Sequence, residues 1–144
     1  MTERRPDGDR RTVDRIQRVE NAAIAVAIVV AVIASGQQWW WLIVAFLVFD
    51  LSAIGYAGGP RPGALLYNAV HNYTAPAILL AAYAGLAIAG QDPAWLTLAA
   101  ACWAFHVAVD RALGYGLKLQ DFSHTHLGPI GARRHQAGSP SGDG

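Results

Sequence analysis

Four apolar stretches divide this chain, each close to the roughly 20 residues that cross a bilayer as a helix. The first, "ENAAIAVAIVVAVIAS", extends to residues 19–36, the second opens on "WWW" and runs over 39–57, the third covers 64–89 and the fourth 93–117. Between them stand "SGQQ", "AGGPRPG" and "GQDP", whose Gly, Pro, Gln and Asp residues are turn-like. Hydrocarbon offers backbone amides no water, so separate apolar stretches of this length must satisfy their own hydrogen bonds as helices. The expected fold is an all-α membrane protein, a four-transmembrane-helix bundle.

The rest of the chain is short and polar. Residues 1–18 hold six Arg and no apolar run, and read as a disordered basic tail. Residues 129–144 are rich in Gly, Ser, Pro and Arg and read as a second disordered tail. That leaves residues 19–128 as one membrane domain, with 118–128 as a cytoplasmic segment. The single cysteine, Cys102, excludes an internal disulfide and a thiolate metal cluster within one chain, and reads as a small apolar group on a helix face.

The cations give the orientation. Six Arg precede the first span, Arg61 lies between the second and third, and Arg111, Lys118, Arg133 and Arg134 end or follow the fourth, so all eleven fall on one side. The positive-inside rule places both termini in the cytoplasm and the chain in the cell inner (plasma) membrane, with Trp39–Trp41 and Trp95 at the outer interface. The basic residues suit a membrane flank, and no nucleic-acid partner is expected. A competing reading makes the basic start and the first apolar stretch a signal peptide cleaved after Ala34.

Ionisable groups inside a bilayer cost roughly 2.5–3.5 kcal/mol each at a helix centre, so each one needs a reason. On the four-span reading, every strongly polar group lies in the cytoplasmic half: Glu20 and Asn21 on the first helix, Asp50 on the second, Tyr67, Asn68, His71 and Asn72 on the third, and His106 and Asp110 on the fourth. Tyr67/His71, Asn68/Asn72 and His106/Asp110 are each four residues apart, so each pair shares a helix face. Turned inward, they gather into one cluster. Nitrogen and oxygen donors without sulfur suit a divalent metal: Zn, Fe or Mn. His71, His106, His126 and Asp110 are the candidate ligands, and Asp50, Asp110 and Glu20 the candidate acid/base groups. Asn21, Tyr67, Asn68, Asn72 and Tyr115 form a supporting polar network. Two other readings stand beside this one: an interhelical hydrogen-bond network that only fixes packing, and a proton or substrate pathway.

After the fourth span, Gly114 and Gly116 flank Tyr115 and permit a turn. His124 and His126, two apart, face one side if the segment is extended, and "LKLQDFSHTHLGPI" is long enough to fold back as a lid over the cytoplasmic mouth.

Four motifs, "RVEN" (18–21), "FDLSAIGYAGGPRPGALLYNAVHNYTAP" (49–76), "HVAVDRALGYGLK" (106–118) and "FSHTHLG" (122–128), resemble the small bacterial integral membrane proteins of the domain of unknown function 4260 family. The resemblance spans nearly all of 18–128. It implies the membrane architecture and marks Glu20, Asn21, Asp50, Tyr56, Tyr67, Asn68, His71, His106, Asp110, Arg111, Gly114, Tyr115, Gly116, Lys118 and His126 as pattern positions, without assigning them a reaction. Phe49 stands where the family more commonly has Pro, and His124 is not a fixed His in the pattern, which favours His126.

The leading functional expectation is a metal-dependent membrane enzyme, hydrolase or oxidase, acting on a lipid or other apolar small molecule. The alternative is a non-enzymatic membrane protein: a small transporter, a proton pathway or a structural partner, including a homo-oligomer. In composition alone the cluster is similar to the Asp, Ser and His set of membrane ceramidase-like hydrolases.

Overall fold

The computed structural model describes residues 6–118 and two short segments beyond them, 124–125 and 128–129. Five α-helices run in the order α1 (Pro6–Ala34), α2 (Trp40–Asp50), α3 (Pro60–Val70), α4 (Thr74–Ile88) and α5 (Ala94–Leu113), with a 3₁₀ segment, Leu51–Gly58, continuing α2. His124–Thr125 and Gly128–Pro129 pair antiparallel as strands β1 and β2.

Three stretches are long and apolar enough to cross a membrane: Arg11–Ala34, Trp40–Gly58 and Ala94–Leu113. Large apolar side chains on α1, α2, the 3₁₀ segment and α4 point outward, among them Val26, Leu47, Ile54 and Ile78. A water-soluble fold would bury such groups, whereas a membrane protein presents them to lipid.

α5 is the central element and touches α1, α2 and α4. Its twenty residues make a rod of about 30 Å. It buries Leu96, Ala100, Cys102, His106, Val107 and Asp110, positions that recur at three- and four-residue intervals around more than one face. In lipid, close contact rather than water release favours helix association. Ala25, Ala64, Ala100 and Ala108 are accordingly among the most buried residues. Near the other end of the bundle, Val32, Leu42 and Cys102 bring α1, α2 and α5 together, and Cys102 is the small buried apolar group its sequence context suggests.

The helices depart from the expected spans in four places. α1 begins at Pro6, where a disordered tail to residue 18 is the sequence expectation. Proline suits a first helical turn, and Asp14 and Arg18 stand four apart in the order that supports a helix. The second span changes to a 3₁₀ helix after Asp50. Its Gly55 meets Leu66, and Gly63 of α3 sits against Tyr56, where an added Cβ would lie 2.8 Å from the Tyr56 Cα. These two glycines let the 3₁₀ segment and α3 approach closely, which fixes Asp50 relative to His71.

The third expected span, 64–89, is two helices. Pro76 in the first turn of α4 has no N–H for the Asn72 carbonyl, and its ring would clash there in a continuous helix. The chain therefore breaks at His71, with φ −93° and ψ 41°. Side chains satisfy the end of α3 completely. The Tyr67 carbonyl accepts from His71 N and is 2.8 Å from His71 Nδ1. Asn72 Nδ2 donates to the Asn68 and Ala69 carbonyls, and Trp103 Nε1 donates to the Val70 carbonyl at 2.6 Å. Asn72 Oδ1 also accepts from Thr74 N at 2.8 Å, so Asn72 caps both helices.

The fourth span, expected to reach residue 117, ends at Leu113. Gly114 takes a left-handed conformation (φ 93°), and Tyr115 N donates to the Asp110 carbonyl at 2.8 Å. This is a Schellman closure, in which glycine avoids the Cβ penalty.

Candidate metal centre

Three elements converge where α3 breaks. α5 supplies His106 and Asp110, one turn apart; the break supplies His71; the end of α2 supplies Asp50. The Nε2 atoms of His71 and His106 are 2.9 Å apart. Asp110 Oδ2 lies 3.3 Å from His71 Nε2 and 3.8 Å from His106 Nε2. Asp50 Oδ1 lies 4.0 and 3.8 Å from the same two nitrogens. One donor atom each from Asp50, His71 and His106 falls within a 4.8 Å set.

Those separations suit ligands of a single ion. A tetrahedron with nitrogen and oxygen bonds of ~2.0–2.1 Å has edges of roughly 3.3–3.4 Å. The observed distances bracket that value. The geometry alone permits a metal.

The histidine tautomers sharpen the point. His71 Nδ1 faces a carbonyl, which only accepts, so Nδ1 carries the proton and neutral His71 presents a bare lone pair at Nε2. Tyr67 stacks on this ring at 3.6 Å and 9° and holds it in place. His106 Nδ1 is buried without a hydrogen-bond partner, although the Phe46 backbone interacts with the ring. If His106 carries its proton on Nδ1, two lone pairs face each other at 2.9 Å, and either a shared proton or a metal ion between them removes the repulsion. If it carries the proton on Nε2, it donates to His71 and leaves a buried acceptor at Nδ1 unsatisfied.

The surroundings are asymmetric. His106 is fully buried and His71 nearly so, while the Asp50 side chain is 52% exposed. Phe46 and Phe49 lie against His106 at 4.5 and 5.5 Å, and Phe49 stacks on Trp103 at 5.1 Å. Phe49, which stands where the family pattern more commonly has Pro, is thus part of the wall. Tyr67 donates from its hydroxyl to Asp110 Oδ2 at 3.3 Å, tying α3 to α5 and orienting the carboxylate.

The other sequence candidates lie elsewhere. Asn68 and Asn72 shape the backbone around the break. Glu20 and Asn21 are not in the cluster: Glu20 lines a cleft beside α5, and Asn21 accepts from the Tyr73 hydroxyl at 2.6 Å. Glu20 and Asn21 line that cleft with Arg111 and Gly114 of the α5 end, so one shared depth does not bring all the polar groups together. Tyr115 is exposed, with the Lys118 ammonium 5.9 Å from its ring. His126 lies outside the described residues, as does most of the expected lid.

One further position of the family pattern lies near the cluster, which its sequence context does not indicate. Lys118, expected to mark the membrane boundary, is 4% exposed, with its Nζ 5.2 Å from the Tyr67 ring. Asn68 holds it there through both backbone groups. The available signal is the Gly-Tyr-Gly spacing, which turns the chain back on α3 soon after Asp110.

The profile of the family described as Domain of unknown function (DUF4260) matches residues 14–130. The chain belongs to this family. The match covers all five helices apart from the first turns of α1, and every residue of the His/Asp cluster. No curated protein and no solved structure matches the chain.

Proposed function

We propose that this DUF4260 protein is a multi-pass membrane protein whose His71, His106, Asp50 and Asp110 hold a divalent metal, and that this centre acts on a lipid or other apolar molecule. The observation that carries the reading is the pair of imidazole Nε2 atoms 2.9 Å apart, with two carboxylates completing the set within 4.0 Å. Zn, Fe and Mn suit these donors. The ion supplies a Lewis acid and acidifies bound water. Asp50, the exposed carboxylate, is placed to accept a proton from a substrate or water on the open side. Asp110, oriented by Tyr67, is a ligand. Hydrolysis and oxidation use the same donor types, and both belong to this reading.

In this reading α3 and α4 together make a fourth crossing, broken at His71. A crossing broken at a polar site is stable when the freed backbone groups are satisfied by protein, as Asn72, His71 and Trp103 do. Four crossings return both termini to the cytoplasmic side of the inner membrane, in line with the cations. Glu20 then serves a neighbouring cleft rather than the metal.

Metal analysis of the purified protein tests this directly. Stoichiometric Zn, Fe or Mn in the native chain, lost in His71→Ala and His106→Ala while helix content persists, is the expected result. A native chain without stoichiometric metal after reconstitution with all three ions would overturn it and leave the cluster as a packing network.

A further inference from the structure

A second polar site shares no lining residue with the His/Asp cluster. A cleft of about 720 Å³ opens between the amino-terminal half of α1, the end of α5 and Tyr73. Arg18 and Arg111 line it. The Arg18 guanidinium rests directly on Gly114, where any side chain would collide with it. The Arg111 guanidinium lies 5.8 Å over the Tyr73 ring, and its Nε is buried without a hydrogen-bond partner. Among the described residues the carboxylate ion pairs are made by histidines, and neither arginine takes part in one. Asp110, next to Arg111 in sequence, is turned into the histidine cluster. Two arginines lining one partly enclosed cleft are complementary to a phosphate.

A second, mainly apolar recess neighbours the cleft along α1. Ile24 lines the first space, and Ile28, one turn further along α1, lines the second, of about 420 Å³, between α1 and α4 over α5. Ala31, Leu80 and Ala104 give its wall an apolar character, with Ser35, Tyr83 and Thr97 among its polar groups. From Ile24 to Ser35 the helix rises about 16 Å, the thickness of the hydrocarbon in one leaflet. Polar groups at one end and an apolar trough of leaflet length at the other match one kind of molecule.

We propose that this groove binds a glycerophospholipid from the bilayer. Arg18 and Arg111 grip its phosphodiester, and one acyl chain lies between α1 and α4. Asp14 and Glu20 also line the mouth, where carboxylates suit the amine or hydroxyl end of a headgroup. The site is separate from the metal centre and does not depend on it.

The test is native mass spectrometry of the full chain released from vesicles of phosphatidylethanolamine and phosphatidylglycerol doped with diacylglycerol. The native protein retains phospholipid and not diacylglycerol. Arg18→Gln combined with Arg111→Gln lowers retention by about tenfold or more, the loss expected for charge-assisted hydrogen bonds. Ala31→Trp, which fills the trough and leaves the charges alone, lowers it as well. If the arginine variant misfolds, as judged by helix content, the Ala31→Trp comparison decides. Equal retention of diacylglycerol, or retention unchanged by Ala31→Trp, overturns the proposal. Displacement of the lipid by glycerol 3-phosphate as effectively as by intact phospholipid overturns it too, since the site would then read phosphate without a chain.

Discussion

Asn68 holds Lys118 by both of its backbone groups: its Nδ2 donates to the Lys118 carbonyl at 2.8 Å, and its Oδ1 accepts from the Lys118 amide at 2.7 Å. One side chain thus imitates a strand partner and folds the chain after α5 back against α3. The consequence is a lysine buried beside the cluster.

Asn68→Ala removes both bonds to the Lys118 backbone, at about 0.5–1.5 kcal/mol each. Faster amide exchange at Lys118 in detergent micelles, with protection of α5 unchanged, is the expected readout. Unaltered exchange at Lys118 would show that other contacts hold the segment.

Tyr67→Phe keeps the ring that stacks on His71 and deletes the hydroxyl that reaches Asp110. Loss of such an orienting bond typically weakens metal binding 10–100-fold, and about that loss is expected here. A competition titration with a chelator checks it, and unchanged affinity would remove Tyr67 from the centre.

Asn72→Ala uncovers two carbonyls of α3 and the Thr74 amide together. A drop of about 2–4 kcal/mol in unfolding free energy follows if they stay dry, read from thermal or denaturant unfolding in detergent. Asn72→Asp retains the cap on Thr74 and loses the donations to α3, so it should fall between the two.

Gly63→Ala places a methyl into Tyr56, including its backbone. The 3₁₀ segment must move away from α3, at about 1–3 kcal/mol for the overpacking. Asp50 moves with it, so metal affinity should fall along with stability. Gly85→Ala, where nothing lies within 4 Å, is the neutral control.

Much of this was legible in the sequence because lipid imposes simple rules. Apolar length gave the helices, and the four-residue spacing of His106 and Asp110 gave their shared face. The proximity of Asp50, His71 and His106 followed from their common depth. What depth does not contain is angle around the bundle, so Glu20 and Asn21 share the depth of the cluster without joining it. The break at His71 was signalled by Pro76, four residues past Asn72, but hydrophobic continuity over 64–89 masked it. The burial of Lys118 depends on Asn68, fifty positions away, and no local pattern reports such a contact.

The half-exposed Asp50 has a further consequence. It is the most exposed member of the cluster, and it ends a helix whose neighbouring side chains are apolar and exposed. If that helix crosses the bilayer, as proposed above, a reagent reaching Asp50 there is dissolved in lipid, and its relevant concentration is a mole fraction in that film. Diluting the vesicles with buffer should leave the occupancy of this side unchanged, whereas diluting the membrane with inert lipid should lower it.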